Sequence, residues 1–226
     1  MTALRALCAE VVSCHRCPRL VAHREQVARQ KRRAYLDWEY WGKPLPGFGD
    51  PAARLLVIGL APAAHGGNRT GRIFTGDRSG DWLFETLSRF GFANQATSTR
   101  RDDGLHLTDA YVTAAARCAP PDNKPSAEEL ANCRPFLERE LALLKQLRVI
   151  VALGKVAFDA YLAARAARTQ EIPRPRPGFG HAKVYQFADV VLIGSYHPSQ
   201  RNTQTGMLTH AMFDRVFATA RECLRR

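Results

Sequence analysis

Short runs of consecutive apolar residues, each closed by a polar or Gly-bearing break and followed by an amphipathic segment, set the strongest constraint on this chain. Arg54 is followed by LLVIG and Arg148 by VIVALG, and between them Leu107 to Thr113, interrupted by Thr108 and Asp109, reads as a second strand. Runs that are apolar at nearly every position belong to strands covered on both faces. Between them lie helical patterns: Asp81 to Phe90 closed by Gly91, turns opened by the capping-box pair Ser126 and Glu129 and running to Leu147, and Lys155 to about Arg168. Strands that alternate with helices are joined by right-handed crossovers and form a parallel sheet. Strands at Lys183 to Phe187 and Val190 to Gly194, joined by a tight Ala188-Asp189 turn, and a last helix from Leu208 to Leu224 complete the pattern. The expected fold is α/β, a three-layer αβα sandwich around a short, largely parallel sheet. Ligands of such sheets bind off the carboxyl ends of the strands. Three segments fall there: 60–80, 114–125 and 195–206.

The remaining organisation is simpler. An amphipathic helix is expected from Thr2 to Ser13, and the basic, aromatic stretch from Arg29 to Gly49 reads as mostly loop. A length of 226 residues suits one domain, 1–226, with a cysteine-anchored N-terminal arm. No apolar run approaches the ~20 residues of a membrane span, and the N-terminus is too interrupted for a signal peptide. A cytoplasmic monomer without membrane contact is the expectation. The chain carries 33 Lys+Arg against 21 Asp+Glu, a formal charge of +12, which favours polyanionic partners through counterion release. Charge alone does not separate a nucleic-acid enzyme from other basic proteins.

Six cysteines are present, and four carry spacing information. Cys14 and Cys17 form a C-x-x-C pair, and Cys118 and Cys133 sit near proline-bearing breaks with 14 residues between them. Four thiolates would suit zinc or an iron–sulfur cluster equally, and such a site would pin the N-terminal arm to the loop after the second strand. Cys8 and Cys223 fall within expected helices and read as small buried residues.

Two segments concentrate chemistry. GLAPAAHGGNRTGRIFTGD (59–77) follows the first strand and contains five glycines, which permit close approach of backbone to a ligand; without a terminal Gly-Lys-Ser/Thr it is not a Walker A loop. SYHPSQRN (195–202) follows the last strand, where a His before Pro can offer an imidazole N–H from a rigid turn. Both lie on one sheet edge, which points to a pocket between them.

These two segments, CAPPDNKP (118–125) and the four spaced cysteines together resemble family 5 of the uracil-DNA glycosylase superfamily, over nearly the whole chain. The resemblance implies excision of uracil and other deaminated bases from damaged duplex or single-stranded DNA, and a [4Fe–4S] cluster at Cys14, Cys17, Cys118 and Cys133. It also implies His197 as donor to O2 of the departing base, Phe74 stacking on the flipped base and Asn123 reading its edge. The chemistry suits these types: cleaving an N-glycosidic bond builds negative charge on the base, and backbone N–H groups from Gly59 through Ala61 to Ala63 are further donors. Sister families place a polar or acidic residue early in the first motif, where this chain has Leu60 and Ala61, and an Asn after the second strand, where it has Ala114 to Ala116. The water-activating role therefore moves to Asp77, with His65 and Asn68 as helpers, and the pocket is expected to tolerate hypoxanthine. Segment 198–206 is expected to wedge a base step as a loop. Arg72, Arg201, Lys31-Arg32-Arg33 and Arg100-Arg101 are candidates for phosphate contacts. Competing readings are a non-catalytic nucleic-acid-binding module with a structural metal site, and a hydrolase built on Ser195 and His197.

Overall fold

The structure is a computed structural model that describes residues 2–225. Its sheet has six strands, β1 (Phe48–Gly49), β2 (Leu55–Gly59), β3 (Ala110–Ala114), β4 (Val149–Leu153), β5 (Val184–Gln186) and β6 (Val191–Ser195), in the order β1-β3-β2-β4-β6-β5. The four inner strands pair in parallel, with Val57 opposite Val112 and Val151, and Val151 opposite Ile193. The edge strands β1 and β5 run antiparallel. All residues of the four inner strands are buried, which is why their sequences are mostly apolar, with Thr113 and Ser195 the polar exceptions.

The two-residue period of a strand divides these side chains between two cores. Leu55, Val57, Val149, Val151 and Ile193 meet Phe84 and Leu87 of α4 (Arg78–Arg89) and Phe213 and Phe217 of α8 (His210–Arg225). Leu56, Ile58, Ile150, Ala152 and Leu192 meet Leu137 of α5 (Ala127–Leu143) and Phe158 and Leu162 of α6 (Lys155–Ala167). The three-layer αβα sandwich is therefore the observed architecture. The capping box forms as read: Ser126 Oγ accepts from Glu129 N at 3.1 Å, while Glu129 Oε2 accepts from Ser126 N at 2.7 Å.

The N-terminal helix α1 spans Ala3–Val12, and three elements depart from the sequence reading. Helix α2 (Pro18–Gln30) occupies a stretch where no helix is expected, because its buried positions are Leu20 and Arg24 rather than an apolar stripe; proline at its first position starts it. The second strand begins at Ala110, since Asp109 adopts φ 58° and turns the chain after Leu107. Within 198–206 the chain forms α7 (Gln200–Gln204), capped by Ser199 Oγ accepting from Asn202 N at 3.3 Å. A four-residue helix α3 (Gly67–Thr70) lies inside the first motif, and the Arg29–Gly49 stretch is mainly irregular, with a single 3-10 turn at Arg33–Tyr35. Among the described residues no helix is long and apolar enough to cross a membrane.

Candidate active site

Loops at the carboxyl ends of β2, β3 and β6 enclose a cavity of about 640 Å³. Its wall is built by residues 60–66, Phe74, 76–79, Asn123, His197 and 199–201, with Arg32 and Tyr35 closing one side from the N-terminal arm. Phe74 and His197 face each other with ring centroids 6.0 Å apart and planes inclined by 28°. Two glycines hold Phe74 there. A Cβ on Gly59 would come within 2.5 Å of the Phe74 ring, and one on Gly80 within 1.8 Å of its carbonyl oxygen. Phe74 itself adopts φ 53°, a backbone conformation that a bulky residue holds only when its surroundings enforce it.

Burial lowers the His197 pKa to about 4, with no charged neighbour contributing. The imidazole is thus neutral at physiological pH, a hydrogen-bond donor that brings no charge of its own. Its carbonyl accepts from Ser199 N at 2.8 Å and from Asn202 Nδ2 at 2.9 Å, which locks the turn after β6.

Asp77 caps α4 and lines the cavity at once. Its Oδ1 accepts from Gly80 N at 3.0 Å, and its Oδ2 lies so close to Gly66 that a Cβ there would approach it to 2.1 Å. Burial raises its pKa, opposed by the N–H groups of Gly80 and Ser79 and by Arg69. A carboxylate with few water contacts and an elevated pKa is a stronger proton acceptor than an exposed one.

The other expected contacts are distributed unevenly. Ala61 and Ala63 form part of the wall, and Asn123 stands exposed at the mouth in a turn where both it and Asp122 have positive φ. Gly59 lies behind Phe74 rather than on the cavity surface. Among the helpers, His65 lines the cavity with Nδ1 3.0 Å from the Tyr40 hydroxyl. Asn68 points away: it is fully buried and donates to the Arg24 carbonyl at 3.1 Å.

The four cysteines are distributed over the arm, the loop after β3 and α5. Cys17 and Leu20 at the start of α2 pack on Cys118, Cys133 is buried on α5, and Cys14 packs beside Phe136. Among the described residues no three His, Cys, Asp or Glu side chains are arranged to hold a single metal ion. Burial raises the thiol pKa values of Cys17, Cys133 and Cys118, the last to about 12. The guanidinium of Arg24 lies among them, 1% exposed, with Nη1 donating to Cys118 Sγ and to the Cys14 carbonyl, both at 3.3 Å. Its Nε has no partner, and its nearest carboxylate, Glu25, is exposed and 3.8 Å away. A buried cation with a free N–H beside buried thiols is balanced once those thiols are ligating thiolates, so the donor set fits a thiolate-bound group.

The model of the uracil DNA glycosylase superfamily matches residues 46–221. The chain belongs to this superfamily. Type-5 uracil-DNA glycosylases of Mycobacterium leprae and Thermus thermophilus are 49% and 48% identical to it, over 95% and 93% of this chain and 93% and 94% of theirs. A type-4 uracil-DNA glycosylase of Pyrobaculum aerophilum is 31% identical over 71% of this chain and 74% of its own length. These likenesses place the chain in the type-5 branch of the superfamily.

Within this glycosylase frame the structure corrects several expectations. Arg72 is no phosphate contact: it is 3% exposed, bound to both oxygens of Asp103 at 2.7 and 2.8 Å, to Ser98 Oγ and to Thr75 Oγ1. Its partners lie up to 31 residues away, beyond any local pattern. Ser195 cannot pair with His197 as nucleophile, because it is fully buried and donates to the Tyr196 carbonyl at 3.0 Å. Arg201 does line the cavity, while Arg100 and Arg101 lie over the rings of Trp38 and Trp41. Sequence reasoning missed Tyr35, Tyr40 and Arg24 as parts of the site. The Arg29–Gly49 composition of aromatic and basic residues was the available signal, but nothing in it shows which rings turn inward.

Proposed function

We propose that the chain is a monofunctional uracil-DNA glycosylase that takes a base flipped out of DNA into the cavity and hydrolyses its N-glycosidic bond with water. The observation that carries this reading is the wall itself: a neutral His197 facing Phe74, with the Asp77 carboxylate on the same enclosed surface. Phe74 supplies an apolar plate for a flipped base. The His197 N–H, with backbone N–H groups of the loop through Ala61 and Ala63, donates to O2 of the base as negative charge builds there. A neutral donor is suited to a developing anion because it stabilises that charge without a proton having to be transferred. Asp77 holds and polarises the attacking water and stabilises the cationic sugar character that develops opposite it. Asn123, at the mouth, reads the edge of the base. No lysine lines the cavity among the described residues, and Lys124 is exposed, which supports water rather than an amine as nucleophile.

The three alanines at 114–116 present no side-chain amide to select a pyrimidine edge. This supports a broad pocket that also takes hypoxanthine. A panel of duplexes and single strands, each with one lesion, tests both levels by base release. Release from uracil and hypoxanthine substrates is expected. Binding without any release would mean a non-catalytic nucleic-acid-binding module, and release confined to uracil would defeat the broad pocket.

Cys14, Cys17, Cys118 and Cys133 hold a [4Fe–4S] cluster in this reading. When bound, the cluster supplies cross-links between the arm, the loop after β3 and α5, not redox chemistry for hydrolysis. Arg24 offsets thiolate charge, and Asn132 Nδ2, 3.6 Å from Cys17 Sγ, adds a donor. Protein purified without air is expected to be brown, with four irons per chain, and Cys17→Ser to lose the visible absorbance. A colourless protein with stoichiometric zinc would contradict the cluster.

A further inference from the structure

Arg69 is buried, lies behind the cavity wall and bonds to no carboxylate among the described residues. Its guanidinium carbon sits in the corner of two rings of the N-terminal arm that stand at 79° to each other, 3.9 Å from the centroid of Tyr35 and 4.0 Å from that of Trp38. From there Nε donates to the His65 carbonyl at 2.7 Å and Nη2 to the Gly76 carbonyl at 2.9 Å. The two carbonyls belong to the residues just before Gly66 and Asp77, the pair whose contact leaves no space for a Cβ. Gly76, at φ 75°, has no room for one either, since it would meet Arg69 Nη2 at 2.5 Å.

From this geometry we infer that Arg69 is a positioning residue for Asp77, a staple that closes the 65–77 loop and is held in place by Tyr35 and Trp38. The inference rests on the role of Asp77 given above. The two N–H donors of the guanidinium fork fix the distance between the loop's two arms, and the rings cover the guanidinium from two sides, a combination that a lysine cannot reproduce. The clamp also makes the arm part of the active site. Residues 35 and 38 hold the staple, while Tyr40 reaches His65 on the same loop. The charge of Arg69 further favours the Asp77 carboxylate in a site where burial opposes it. Other charged or titratable groups on this wall are Arg32, Tyr35, His65, Arg78, His197 and Arg201, with Asp81 one turn along α4.

Single-turnover uracil release and DNA affinity are measured for Arg69→Lys, Arg69→Gln and Trp38→Leu, each alone and combined with Asp77→Asn, after circular dichroism confirms folding. Arg69→Lys is expected to slow release about 10- to 100-fold at unchanged affinity. Arg69→Gln, which also removes the charge, should in addition move the acidic limb of the pH–rate profile to higher pH. Trp38→Leu should lose about 2- to 5-fold. In the Asp77→Asn background none of the three should slow the reaction further. If Arg69→Lys does not fold, Trp38→Leu and its combination decide. Wild-type rates in these variants beside an inactive Asp77→Asn, or losses that multiply with it, overturn the staple and leave Asp77 in place. An Asp77→Asn protein with full turnover instead defeats the underlying role of Asp77.

Discussion

His197→Ala slows single-turnover release of uracil about 10²–10³-fold while affinity for uracil-containing duplex stays within a few-fold. The ring lies on the cavity wall opposite Phe74, and the charge it meets exists only as the glycosidic bond breaks. Removing it therefore costs transition-state binding and little ground-state binding. Wild-type turnover of the alanine variant would take His197 out of the reaction. Its burial has a second, independent readout. The folded protein holds this imidazole near a pKa of about 4, below the 6.5 of a free side chain. A depressed pKa contributes stability that is complete above the unfolded value and is lost as pH falls from 6.5 towards 4. His197→Ala should therefore flatten the pH dependence of the unfolding midpoint in that window, measured by thermal denaturation against the wild type.

Asp77→Asn lowers release about 10²–10⁴-fold, the range of a lost general base, without loss of DNA binding. The substitution is chemically narrow. Asparagine keeps an oxygen to accept from Gly80 N, so α4 keeps its cap, and only the charge and basicity disappear. Stability moves in the opposite direction from activity. Burial raises the Asp77 pKa, so the folded state binds its proton more tightly than the unfolded chain does. That contribution to stability is present at pH below the ordinary carboxylate range and is lost as pH rises through the raised folded value. At neutral pH the buried charge is thus a net cost, and Asp77→Asn is expected to melt at the wild-type temperature or above. In the wild type, excision falls as pH drops through the Asp77 titration. A variant that loses both activity and melting temperature would show that Asp77 is only a helix cap.

Asp77 illustrates how far the chain could be read in advance. The end of the glycine-rich motif pointed to it for the water, and the structure puts it on the cavity wall, where it also caps α4. The capping box at Ser126 and Glu129, the strand runs and the converging loops were equally legible, because each depends on neighbours within a few residues. Helix α2 was not legible. Its inward face carries Arg24, and an arginine turns inward only where distant groups receive it, here Cys118, 94 residues along the chain. Arg72 was misread for the same reason: among surface arginines a basic side chain suggests phosphate, yet Asp103 and Ser98 fold over it and bury it.

By itself, then, the amino-acid sequence determined the layered α/β fold and the sheet edge that carries the loops, which follow from hydrophobic periodicity and backbone capping, both local properties. The motifs and the four cysteines were legible through their resemblance to a family. Only the tertiary structure decided which cations are spent inside the protein and which remain at the cavity. It brought the arm's rings onto Arg69, drew Phe74 over Gly59, and withdrew water from His197 and Asp77. Burial and ion pairing are sums over neighbours from remote parts of the chain, so they come into existence only when the layers close.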